Sequence, residues 1–176
     1  VLNMALLSGC GPGEPYEVVL QAYADGRPIQ VNTYQGRKSE AKLLQTREYY
    51  KDRQLKEEVN YIPDEVQHGR HFVWYPSGQL KFETYYKSGE KDSVANFYFE
   101  NGQIGSAEIY DNGILIGESR TWYENGTEAT LAYHKEGEFE GEFFQWYANG
   151  QERQIGKYYK GEKKGVWKNW ARNGQI

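Results

Sequence analysis

Residues 117–126 read GESRTWYENG and residues 141–150 read GEFFQWYANG, one phrase repeated at a distance of 24 positions. Working outward, the closing glycine recurs as Gly78, Gly102, Gly126, Gly150 and Gly174, each preceded by Ser or Asn. Four residues ahead of each stands an aromatic, Trp74, Tyr98, Trp122, Trp146 or Trp170. A second aromatic follows it as Tyr75, Phe99, Tyr123 and Tyr147, with Ala171 in the last copy. Two more glycine columns keep the step: Gly89, Gly113, Gly137 and Gly161, then Gly69, Gly117, Gly141 and Gly165 with Ser93 at the gap. A fixed period of this length is the signature of a repeat architecture.

Each period reads as a hairpin. One strand runs up to the aromatic pair, a tight turn of primed geometry holds Ser-Gly or Asn-Gly, and a second strand follows; a looser Gly-containing loop leads on. Glycines and β-formers at fixed places exclude helix. The predicted fold class is all-β, an elongated repeat array of stacked antiparallel β-hairpins. Trp74, Trp122, Trp146 and Trp170 are expected to stack ring on ring as its core. Tyr75, Phe99, Tyr123 and Tyr147 then become the candidate partner-binding aromatics, since large amphipathic rings are frequent binding hot spots.

Three segments follow from the period. Residues 68–176 are the regular array. Residues 16–67 are degenerate repeats with a short linker: YYKDRQLKEEVNYIPDE (residues 49–65) aligns with WYPSGQLKFETYYKSGE (residues 74–90), Arg53 replacing the turn glycine. Earlier, residues 16–23 and 29–34 flank Asp25-Gly26, a hairpin signal. The piece between, KSEAKLL (residues 38–44), reads as a linker or one helical turn. Residues 1–15 are a signal-like segment and tether: VLNMALLSGC ends Leu7-Ser8-Gly9-Cys10, which resembles the end of a bacterial lipoprotein signal, with Cys10 as the lipidation site. Cys10 is the sole cysteine of the chain, so no internal disulfide forms.

Composition bounds the chemistry. The 176 residues carry 16 Tyr, 7 Phe and 5 Trp and a formal net charge of -4, which argues against nucleic acid as a partner. A basic run at Lys157, Lys160, Lys163, Lys164 and Lys168 is interrupted by Glu162 and reads as a solvated face. His68 and His71, three apart on a strand, point to opposite faces and do not chelate one metal. His134 reads as a surface or turn histidine. Glu57-Glu58 and the run Glu136, Glu138, Glu140, Glu142 invite glycosidase or calcium chemistry, but Gly137 and Gly141 place the run in a solvated turn. No nucleophile, phosphate-loop or metal motif is present, so catalytic residues, cofactor and metal are each expected to be none.

The pattern G-x4-W-Y-x-N-G, followed by a strand ending in Tyr and a further Gly, resembles the variant form of the MORN repeat (membrane occupation and recognition nexus). The resemblance implies a non-enzymatic array of stacked hairpins serving as a scaffold or a protein-binding module. It extends to bacterial lipoproteins and to antitoxins of toxin–antitoxin pairs. The expected function is therefore a repeat scaffold binding another protein, anchored through Cys10 in the bacterial cell envelope, at the periplasm or outer membrane. A cytoplasmic antitoxin-like protein neutralising a toxin is the alternative, and a glycan-binding or glycan-active envelope protein the remote one. The sequence stops at Gly174-Gln175-Ile176, mid-hairpin by the register, so edge-to-edge association at the C-terminal strand is also expected.

Overall fold

A computed structural model describes residues 4–6, 13–37 and 40–175; Cys10, Gly11-Pro12 and Ile176 lie outside the described residues. The chain divides into two units, Val1–Glu90 and Lys91–Ile176. The first holds β1 (Met4–Leu6), β2 (Tyr16–Ala22), β3 (Pro28–Gln35), β4 (Lys42–Tyr49), β5 (Leu55–Ile62), β6 (Val66–Trp74) and β7 (Leu80–Lys87). After the two-residue β8 (Glu90–Lys91), the second unit holds β9 (Ser93–Tyr98), β10 (Ile104–Asp111), β11 (Ile114–Trp122), β12 (Glu128–Lys135), β13 (Glu138–Trp146), β14 (Glu152–Tyr159) and β15 (Glu162–Asn169). Within each unit every strand pairs antiparallel with the next. The array of antiparallel hairpins expected from the period is what each unit contains.

The two kinds of turn are exchanged relative to expectation. At the Asn-Gly edge, Gly126 N–H donates to Tyr123 O and Tyr123 N–H to Thr127 O, both at 2.8 Å. Equivalent pairs of bonds start from Tyr23, Tyr50, Tyr75, Phe99, Tyr147 and Ala171. Only the last turn residue is left-handed here, as in Gly126 (φ 81°), so these are three-residue loops closed by a glycine bulge rather than primed turns. The primed turns occupy the opposite edge, where a looser loop was expected. Asn112 and Gly113, Glu136 and Gly137, and Lys160 and Gly161 all take positive φ, and the register closes over two residues, as in Lys135↔Glu138. Holding Glu136 and Lys160 left-handed costs roughly 1–2 kcal/mol each. An inter-hairpin bond accompanies each: the N–H groups of Gly113, Gly137 and Gly161 donate to Lys91, Leu115 and Phe139 carbonyls one hairpin back, at 2.7–3.0 Å.

The degenerate region obeys the same rules. Arg53 sits at φ 76° and repeats the glycine's bonding, so a side chain is carried where the array elsewhere selects Gly. Residues 38–44 hold no helical turn among those described; Lys42, Leu43 and Leu44 open β4. A seven-residue segment has little helical stability of its own, and pairing with β3 while burying Leu43 outweighs it.

The core also differs from expectation. The Trp rings of this column are half-buried, and Trp74 and Trp146 contact the aromatic two residues earlier on their own strand, Phe72–Trp74 at 5.6 Å and Phe144–Trp146 at 5.9 Å, rather than the next Trp. Burial is deepest on the other face. The register Ser119↔Ala132↔Phe143↔Gly156 places small residues side by side, and Ala132 is 1% exposed. Phe143, Tyr158, Phe139 and Trp167 lean over them with centroids 4.8–6.0 Å apart. A Cβ on Gly156 would collide with the Trp167 ring, and one on Gly105 would lie 2.6 Å from Phe97. Sheet and core are thus one layer, with large rings filling the gaps that small residues leave.

Candidate functional site

In the first unit the β2–β3 hairpin borders a cavity of ≈ 950 Å³. Two register shifts, on either side of Gln21, interrupt the pairing of β2 with β3 beyond Val19 and Val31. Val19, Leu20, Ile29 and Val31 supply an apolar floor, Tyr23 and Tyr49 the aromatic walls, and Glu17, Asp25, Arg27 and Arg53 the charged rim. Three rim groups are held inside the chain: Arg27 pairs with Asp25, and Glu17 with Arg47. The guanidinium of Arg27 donating to Asp25 lowers that carboxyl to about 2, so the pair is ionised at any physiological pH. Arg53 has no ion-pair partner among the described residues. Burial raises the Tyr49 phenol above its usual value, keeping it a neutral donor.

The candidate aromatics lie elsewhere. Tyr123 O–H donates to Trp146 O (3.0 Å) and Tyr147 O–H to Trp170 O (2.9 Å). Tyr50 does the same to Trp74 O at 2.8 Å in the first unit. Phe99 has no hydroxyl and packs edge-on against Phe97 at 5.5 Å. Lys81 stands over the Tyr75 ring at 5.4 Å, and Arg153 over Tyr147 at 5.6 Å. All four rings are half-buried, and the column links successive hairpins as well as offering ring surface outward.

The other singled-out groups stay apart. His71 Nε2 donates to Glu57 at 2.7 Å and its ring packs on Phe82 and Tyr86, while His68 meets Tyr85. His134 is not a free surface histidine: its ring packs at a tilt on Phe139 at 4.6 Å, and burial pushes its pKa below the usual value. The acidic run is split, with Glu140 accepting from Lys160 N–H (2.7 Å) and Glu142 pairing with Lys157 (3.3 Å). Sequence reasoning missed the groove, because its lining comes from β2, β3, β4 and the Arg53 turn, which only pairing brings together. The one available signal was Arg53, a charged residue standing at a glycine position.

A tyrosine-to-carbonyl link at the repeat interval, with a left-handed residue closing each turn, is a structural signature as well as a sequence one. The MORN repeat variant family model matches residues 67–88, which span β6, its turn and β7. By this match the chain carries a MORN repeat. The matched MORN unit is the first of the regular array, and its geometry recurs in every later hairpin. No curated protein matches the chain.

Proposed function

We propose that this MORN-repeat chain is a non-catalytic scaffold that binds another protein, an extended segment of which lies in the groove over β2 and β3. The groove carries the reading: its apolar floor suits a partner's aliphatic side chains, and unpaired Arg53 at the rim suits a carboxylate on the same segment. The second half of the proposal concerns location. Leu7-Ser8-Gly9-Cys10 is the motif of a lipidated cysteine, and two acyl chains on Cys10 would hold the scaffold stably in the cell envelope.

Intact mass of the native protein, with membrane and soluble fractions separated, tests the location. Loss of everything before Cys10 together with added diacylglyceryl mass supports it. An unmodified chain retaining Leu7 to Gly9 in the soluble fraction overturns the anchor and makes a cytoplasmic partner, such as a toxin, the one to seek. Arg53→Glu tests the groove: partner affinity should fall by roughly 2 kcal/mol, in the range for losing a close charge contact and adding a repulsion.

A further inference from the structure

We propose that Asn149-Gly150 is a self-modification site, where the asparagine amide is lost and a carboxylate takes its place, while the fold holds the matching Asn101-Gly102 and Asn125-Gly126 intact. Asparagine followed by glycine is open to this chemistry because no Cβ on the second residue shields its nitrogen. The Gly150 nitrogen attacks Cγ of Asn149, and the new C–N bond closes a five-membered imide. The Cγ–Nδ2 bond breaks, and Nδ2 leaves as ammonia with the proton that the Gly150 nitrogen gives up. Water then opens the ring at either carbonyl. The product is aspartate, or an isoaspartyl link in which the main chain runs through the side-chain carbon.

Asn-Gly occurs at Asn101, Asn112, Asn125, Asn149 and Asn173, and all five asparagines are exposed. The bonding of each amide tells them apart, because Cγ reaches the glycine nitrogen only when the side chain leaves its partners. Asn125 Nδ2 is held by Ala148 O (2.8 Å) and Asn101 Nδ2 by Glu124 O (2.9 Å), each on the next hairpin, so attack there waits on two hairpins separating. Asn149 Nδ2 turns back to Gln151 Oε1 (2.9 Å), an exposed side chain of its own loop, and its Oδ1 accepts from Gln151 N–H at 3.2 Å. Release needs only the local opening of one exposed loop. Asn173 repeats this arrangement with Gln175 and should react alongside. Asn112 differs: its Nδ2 lies 2.6 Å from the Asp111 carboxylate, and a negative charge beside the Gly113 nitrogen opposes loss of its proton. The loop also accepts the aspartate product. Asp25 and Asp52 occupy this position in the two earlier turns, and each accepts from the N–H two residues on, of Arg27 and Gln54, at 3.1 Å. A carboxylate at position 149 keeps that bond, whereas one at 125 loses the donor to Ala148 O and faces a carbonyl instead.

Peptide mapping by mass spectrometry tests this on the full chain aged in mildly alkaline buffer, folded and, in parallel, unfolded in urea. In urea all five pairs should lose their amides. In the folded chain Asn149 should convert to the aspartyl and isoaspartyl forms while Asn101 and Asn125 stay amides. Asn149→Asp should leave the urea midpoint of the folded chain unchanged, and Asn125→Asp should lower it. A folded chain that keeps the Asn149 amide as completely as that of Asn125, or one in which Asn101 or Asn125 converts as fast as Asn149, overturns the proposal. An equal fall in midpoint for Asn149→Asp and Asn125→Asp overturns it too.

Discussion

Asn125 has both ends of its amide engaged: its Oδ1 accepts from Thr127 N–H (3.0 Å) in its own turn, and its Nδ2 donates to Ala148 O (2.8 Å) in the next. Asn101 does the same with Gln103 and Glu124, whereas Asn149 turns its amide back to Gln151 within its own loop. Asparagine was legible before four of the five turn glycines, but its reason was not: it keeps negative φ and serves by bonding to the backbone, an Asx-turn role, rather than by tolerating the left-handed region. Asn125→Ala should therefore destabilise the protein by about 1–2 kcal/mol in urea unfolding, two ordinary hydrogen bonds at once, and Asn149→Ala by less. His134 gives a pH prediction. Because burial lowers its folded pKa below the usual 6.5, the unfolded chain binds the proton first as pH falls. The stability it supports is present above pH 6.5 and is lost as pH drops from there through the folded value. The urea midpoint should thus fall between neutral pH and pH 5 more steeply in the wild type than in His134→Phe; parallel profiles would assign the loss to other groups.

At the scale of the strand and turn, the hairpins were legible because glycine columns and aromatic pairs repeat in sequence. Which glycine closed which turn was not, since both columns lie between strands of similar length. Ser88, Asn112, Glu136 and Lys160 before the second column hide a left-handed residue behind four unrelated side chains. The core was likewise hidden, because Gly156 and Trp167 sit on neighbouring strands and meet only through the β14–β15 register. Gly156→Ala should cost about 1–3 kcal/mol, the usual range for overpacking, and should shift Trp167 fluorescence as the ring is displaced. Gly165→Ala has open space around its Cβ and meets only backbone strain at φ 69°, so it should leave Trp167 emission unchanged.

For the whole molecule, the repeat interval makes a length test possible. Removing residues 115–138 deletes one 24-residue period and lets Phe139 take the place of Leu115, so the shortened chain should fold with its faces in phase. Removing residues 115–137 instead turns the following strand over, exposing Phe143, and circular dichroism should show a non-cooperative melt. The groove proposed for a partner belongs to the part of the chain where the period is weakest, and there pairing, rather than repetition, gathers its lining. The central claim is that this groove holds a segment of another protein. A photo-crosslinking amino acid at exposed Ala24, beside the Asp25-Arg27 rim, introduced into the full chain in its native host, tests it most directly. The account predicts one discrete adduct whose added mass belongs to a different polypeptide and which disappears with Arg53→Glu. Crosslinks only to a second copy of the chain, or none while the same residue placed at Val166 reacts, would contradict it.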